Sequence, residues 1–192
     1  MTSKPALILI AGGPGAGKTA LGRALARRIS SAVLLDKDVL CGGWVDAILH
    51  RFNHGQVDRD SRLYWDFVRP LEYSALLEAA LDNLALGKTV IEVAPFGPEL
   101  RNPEWLRAVV AEVTRVDAVL KVIWIETDAE AARIRMTARN DARDQWKLTH
   151  WDEFAQDAPF APPRDDILVL RNTGAVMLAD LERQAIDYLI SP

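Results

Sequence analysis

The stretch Gly12-Gly13-Pro14-Gly15-Ala16-Gly17-Lys18-Thr19 constrains this chain most, because of what stands on either side of it. Before it runs Ala6-Leu7-Ile8-Leu9-Ile10, a continuous apolar segment that reads as a central strand. After it, Leu21, Ala24, Leu25 and Ile29 recur at helical spacing. Strand, glycine-rich loop and helix are the context that the pattern G-x-x-x-x-G-K-[ST] requires. Backbone N–H groups can close around a polyphosphate only where side chains do not block them, and the following helix adds its positive end and unpaired donors. Lys18 then reaches the β- and γ-phosphates, and the Thr19 hydroxyl completes the shell of a Mg²⁺ ion. Gly12 to Thr19 are thus the expected ATP-binding residues, with Thr19 as metal ligand. The competing reading is a glycine-rich turn with a chance Lys-Thr.

Similar apolar runs follow at Ala32 to Leu35, Thr89 to Val93, Val119 to Ile125 and Ile167 to Leu170. Helical patterns separate them: Leu77, Ala80, Leu81 and Leu84; Leu106, Val109, Val110 and Val113, with Asn102 as cap and Pro103 as first helical residue; and Leu178, Leu181, Ala185 and Leu189. Thr127-Asp128-Ala129-Glu130 has the form of a capping box opening a further helix. Strands alternating with helices predict an α/β three-layer sandwich, a five-stranded parallel sheet flanked by helices, with ligands beyond the carboxyl ends of the strands. Residues 1–192 read as a single domain. Residues 41–70 break the rhythm, and their Trp44, Tyr64, Trp65, Arg51, Arg59, Arg62 and Arg69 suit a helical substrate-binding segment. Residues 127–150 read as a lid.

The 23 Lys and Arg against 27 Asp and Glu leave a net charge of −4, so a broad nucleic-acid coat is disfavoured while a local basic cleft is not. The one cysteine, Cys41, excludes an internal disulfide and a cysteine-rich zinc site. No signal peptide and no membrane span is legible, and a cytoplasmic protein is expected, monomer or homodimer.

Asp36 and Asp38 lie at the carboxyl end of the second strand. Phosphoryl transfer asks for positioning and charge neutralisation, and an acceptor hydroxyl must lose a proton, a task that suits a carboxylate. Asp38 is the expected base and Asp36 the partner of Mg²⁺ waters, Lys18 or substrate; the competing reading makes both acids helix caps. Glu92 sits inside an apolar strand and needs a partner: a Mg²⁺ water, a substrate donor or a structural ion pair. Phe96, where the chain leaves that strand, is a pocket wall or a packed turn. Arg135, Arg139 and Arg143 lie four apart and on one helix would share a face, where like charges repel unless an anion relieves them. They read as lid arginines that close on the phosphates, or as a solvated basic face. Trp44 and Arg69 are candidate substrate contacts. Arg171-Asn172-Thr173 lines an adenine pocket or forms a simple turn. His50, His54 and His150 lack the spacing of a metal site.

These residues resemble the small P-loop kinases that group chloramphenicol phosphotransferase, zeta-toxin-type kinases, gluconate kinase and the kinase domain of polynucleotide kinase, and most of all the compact AAA-type ATP-binding proteins of that group. Three stretches carry the resemblance: Gly12 to Thr19, Asp36-Lys37-Asp38, and the arginine cluster through Arg143-Asp144. It implies that Asp38 is the base and that the lid arginines fall on Arg135, Arg139 and Arg143. Glu92 departs from the pattern, since relatives often carry an Asp at the end of the third strand.

The leading expectation is transfer of the γ-phosphate of ATP to a hydroxyl of a small molecule, an antibiotic or a metabolite. A polynucleotide 5′-hydroxyl kinase and a non-enzymatic ATP-binding switch are the alternatives.

Overall fold

The computed structural model describes residues 4–141, 144–157, 160–174 and 176–190. Its centre is a five-stranded parallel sheet of β1 (Ala6–Gly12), β2 (Ala32–Asp36), β3 (Thr89–Val93), β4 (Val119–Glu126) and β5 (Leu168–Arg171), in the order β2-β3-β1-β4-β5. All pairings are parallel; β1 holds the middle, with Leu9 opposite Glu92 of β3 on one side and opposite Val122 of β4 on the other. Strands covered on both faces have no wet side, which is why they read as unbroken apolar runs.

Alternation along β1 sorts its side chains onto two cores. Leu7, Leu9 and Ala11 face a core that includes Val45 and Leu49 of α2 (Lys37–Phe52), Leu76, Ala80 and Leu84 of α3 (Arg69–Ala85), Leu100 of α4 (Gly97–Arg101), and Val109 and Val113 of α5 (Pro103–Arg115). Ile8 and Ile10 face Leu21 and Leu25 of α1 (Lys18–Arg28) and Leu181 and Ala185 of α9 (Leu178–Ile190). A small third cluster, Ala132, Met136 and Trp151, joins α6 (Ala129–Arg139) to α8 (Trp151–Asp157), with α7 (Gln145–Thr149) between them. Among the described residues no helix is long and apolar enough to cross a membrane.

Asn102 caps α5 as expected, accepting from the N–H groups of Glu104 and Trp105. Helix α6 starts one residue later than the capping-box reading placed it. Asp128 is the cap, accepting from Ala131 N at 2.7 Å, while the Thr127 hydroxyl turns away to donate to the Asn172 carbonyl. At its other end α6 stops at Arg139, because Asn140 takes a left-handed conformation (φ 50°) that ends a helix. The four-residue arginine spacing therefore does not run along one helix. Arg143 lies outside the described residues.

Residues 41–70 contain most of α2, a connection over 53–61 and a helical stretch with a π-helical turn, Tyr64–Val68, that runs into α3. This segment covers the crossover from β2 to β3, beside the carboxyl ends of the strands.

Candidate active site

The glycines of the loop after β1 are required by close approach. A Cβ on Gly12 would stand 2.6 Å from the Ile125 carbonyl oxygen, one on Gly15 2.8 Å from that of Ala132, and one on Gly17 2.8 Å from Asn172 Nδ2. All three have positive φ, which adds backbone strain to the steric cost of any side chain. Gly13, Pro14 and Ala16 complete the bend, where Ala16 N donates to the Gly13 carbonyl. The loop is moored to the chain leaving β3 as well, since Gly12 N donates to the Pro95 carbonyl at 3.2 Å.

Lys18 begins α1 and folds its ammonium back into the loop, donating to the carbonyls of Gly12 at 2.9 Å and Gly13 at 2.8 Å. Burial is the main cause that brings its pKa down to about 8. Asp38 and Asp36 act in the opposite sense, while Arg139 and Lys147 push it further down. These charges converge on the loop: two acids from the β2 exit and two cations from the α6–α7 side.

Asp36 ends β2 and caps α2. Its Oδ1 accepts from Asp38 N at 3.0 Å, and its Oδ2 accepts from the Thr19 hydroxyl at 2.9 Å. Thr19 and Asp36 thus set hard oxygen atoms side by side next to the loop, a donor set that suits Mg²⁺. No group of three or more His, Cys, Asp or Glu able to hold a metal occurs among the described residues. Asp38, in the first turn of α2, is exposed, with Lys37 Nζ at 3.5 Å and Arg59 Nη1 at 3.6 Å from its Oδ1.

A bracket behind the loop brings together residues far apart in sequence. Arg135 donates to the Gly15 carbonyl at 3.3 Å, to the Thr127 hydroxyl at 3.1 Å and to Asn172 Oδ1 at 3.0 Å. Asn172 in turn donates to the Ala16 carbonyl at 2.8 Å. Arg171, beside it, is exposed and pairs with Glu126. Arg139 pairs with buried Asp144, its Nε donating at 2.9 Å.

The other sequence candidates are held in the core or in ion pairs of their own. Trp44 is half-buried against the α2–α3 core. Arg69 is buried, bonded twice to Glu99 and stacked between Trp65 and Tyr73. Phe96 is 1% exposed, edge-on to Tyr73 and beside Trp105. Glu92 is buried, its Oε1 lacks any hydrogen-bond partner, and burial alone pushes its pKa up to about 8. Three residues of the site region were given no role from the sequence: Lys37, Glu72 and Lys147. Lys37 and Glu72 meet across 35 positions, and no local pattern reports such a pair.

The family described as AAA domain (AAA_33) matches residues 7–161. The chain belongs to this family. No curated protein sequence matches the AAA domain protein significantly. Its fold is that of the P-loop kinases. APS kinase CysC of Mycobacterium tuberculosis, solved with AMPPNP and APS, superposes with a TM-score of 0.62 at 18% identity, covering 99% of this chain and 100% of that one. A gluconokinase from Sinorhizobium meliloti 1021 gives 0.59 at 18% identity over 98% and 93%. A sugar kinase from Janibacter sp. HTCC2649 gives 0.61 at 13% identity over 97% and 95%.

Proposed function

We propose that this AAA domain protein is a phosphotransferase that moves the γ-phosphate of ATP to a hydroxyl group of a small molecule, with Asp38 as general base. The observation that carries this reading is the exposed Asp38 carboxylate at the β2 exit, two residues on from Asp36, which accepts from Thr19, beside a loop into which Lys18 folds its ammonium. The loop supplies backbone donors and the Lys18 charge to the phosphates. The bracket of Arg135, Thr127 and Asn172 keeps the loop in shape. Thr19 and Asp36 are the residues that would hold Mg²⁺, whose chemistry is to neutralise charge on the phosphate oxygens. Arg139, at the end of α6 and paired with Asp144, is the candidate to reach the same phosphates from the lid side.

In the transfer, the acceptor oxygen forms a bond to the γ-phosphorus as the bond to the β–γ bridging oxygen breaks. ADP leaves with that electron pair, and the acceptor's proton passes to the Asp38 carboxylate. Aligning these groups matters more than covalent participation by the protein.

A small acceptor is favoured over a nucleic acid by two of the four arginines in 41–70. Arg59 is paired with Asp46 and Asp38, and Arg69 with Glu99, so neither of these adds net charge to a basic channel. The gluconokinase, sugar kinase and APS kinase neighbours are small-molecule kinases by name.

The test is Asp38→Asn, which keeps size and loses the base. ATP affinity by titration should change little, while transfer to the best hydroxyl compound of a panel should fall by about 10²–10⁴. A folded, fully active Asp38→Asn protein removes Asp38 from the mechanism. Wild-type protein that hydrolyses ATP with water but phosphorylates nothing in the panel argues for the switch reading instead.

A further inference from the structure

Lys37 precedes the proposed base by one residue and is 2% exposed, a burial that lysine tolerates only when its charge is paired. Its Nζ donates to Glu72 Oε1 at 2.7 Å. Glu72, fully buried in the first turn of α3, accepts a second hydrogen bond on its other oxygen from the Tyr64 hydroxyl at 2.8 Å. Tyr64 opens the π-helical turn. Burial and the neighbouring Glu72 charge drive the Tyr64 phenol well above its usual range, so it stays a hydrogen-bond donor at any working pH. Three elements thus meet on one ion pair. The arrangement is a poor source of stability, because removing two ions from water costs about as much as their attraction returns, and apolar replacements of similar volume are often neutral or better.

The network does supply a cation of fixed position. The same Lys37 Nζ stands 3.5 Å from Asp38 Oδ1. Arg59, a second cation near Asp38, belongs to the connection between α2 and the π-helical turn and is shared with exposed Asp46. Lys37 is tied into the core through α3. An exposed carboxylate with two or three rotamers open to it gains a preferred place from an ammonium that cannot follow it into solvent.

We propose that Lys37 is a positioning residue for Asp38, its ammonium anchored by Glu72 and Tyr64 so that the carboxylate is held ready for the acceptor's proton. The role assigned to Asp38 rests on the phosphotransferase reading; the coupling of Lys37 to Asp38 is measurable without it. Among the described residues, Lys37 stands beside the Asp38 carboxyl and Arg59 reaches it from the connection after α2, while Asp36 at the cap of α2 accepts from the Asp38 N–H.

The experiment replaces the network by apolar groups of similar size, Lys37→Met with Glu72→Met and Tyr64→Phe. This avoids stranding a buried charge. Thermal melting, ATP titration, steady-state transfer and the Asp38 side-chain conformation in crystal structures are compared with wild type. Melting and ATP affinity should hold, kcat should fall about 10²-fold with KM for ATP little changed, and the Asp38 carboxylate should leave its place beside residue 37 for other rotamers once its buried cation is gone. A purely structural network moves neither kcat nor the Asp38 rotamer, and a stable variant with both unchanged overturns the proposal. Lys37→Gln with Glu72→Gln, which keeps a neutral hydrogen bond across the gap, takes the same measurements should the apolar variant not fold. If the Asp38 carboxylate loses its place while wild-type protein transfers phosphate to no hydroxyl, the coupling stands and the phosphotransferase reading is the part that fails.

Discussion

A carboxyl in the middle of a buried strand has one cheap state, and Glu92 occupies it. With burial as the only influence on it, the proton stays bound up to about pH 8, against 4.5 for a free glutamic acid. The sign follows directly. Between those values the folded protein holds a proton that the unfolded chain releases, so Glu92 favours the fold fully below pH 4.5 and loses that contribution as pH rises to about 8. Glu92→Gln removes the ionisation. Its melting temperature should depend less on pH from 4.5 to 8 than that of wild type, and at pH 8 it should melt a few degrees higher. A wild-type-like slope in the variant would mean that Glu92 is ionised and partnered. The sequence showed that this residue was out of place in an apolar strand, but not whether a partner waited for it. That answer lies in which side chains α2 and α3 bring over the sheet. Lys37 is the reverse case. It looked like an ordinary charged residue beside two acids, and only the fold reveals that it points inward.

Among the elements, α1 shows how closely a helix must sit to aim the loop that precedes it. Gly22 faces the sheet, and a Cβ there would lie 2.6 Å from Val93 Cγ2, the stiff end of a β-branched side chain. Gly22→Ala gains about 1 kcal/mol of helix propensity and pays about 1–3 kcal/mol for overpacking. The net effect should be a melting temperature lower by a few degrees, and a variant that melts higher than wild type would show that α1 can move off the sheet freely. Contact of this kind is invisible in sequence, where Gly22 reads only as a weak helix former. The strands were legible because burial on both faces leaves no alternation to confuse. Helix α5 was legible because its cap and first-turn proline are local signals. The short helices α4, α7 and α8 were not, since five to seven residues carry too little periodicity. The arginine spacing misled for a similar reason: period four continues past residue 139, but nothing in it reports that Asn140 has already turned the chain.

For the whole molecule, nucleotide is a stabiliser by mass action. ATP with Mg²⁺ at a hundred times its Kd should add about 2.7 kcal/mol, or about 5–10 °C of melting temperature in a chain of this size. Chelator should shrink that gain, and Thr19→Val should lose the part that chelator removes, as a scanning-fluorimetry series would show. A gain indifferent to both would separate nucleotide binding from the Thr19–Asp36 pair.

The strand order also dictates a timetable. β1 comes first in the chain yet needs β3 on one side and β4 on the other, and its Leu7 to Val119–Leu120 neighbourhood spans more than half of the 192 residues. A growing chain that has reached the end of β3 at Val93 can close β2-β3-β1 and no more. Until β4 emerges, the backbone of β1 presents an open parallel edge, and the phosphate loop that follows lacks Ile125, Ala132, Arg135 and Asn172, the residues that brace it from that side. Half-made copies of this protein therefore carry the nucleotide-binding motif without its mould, and a sticky strand exposed beside it.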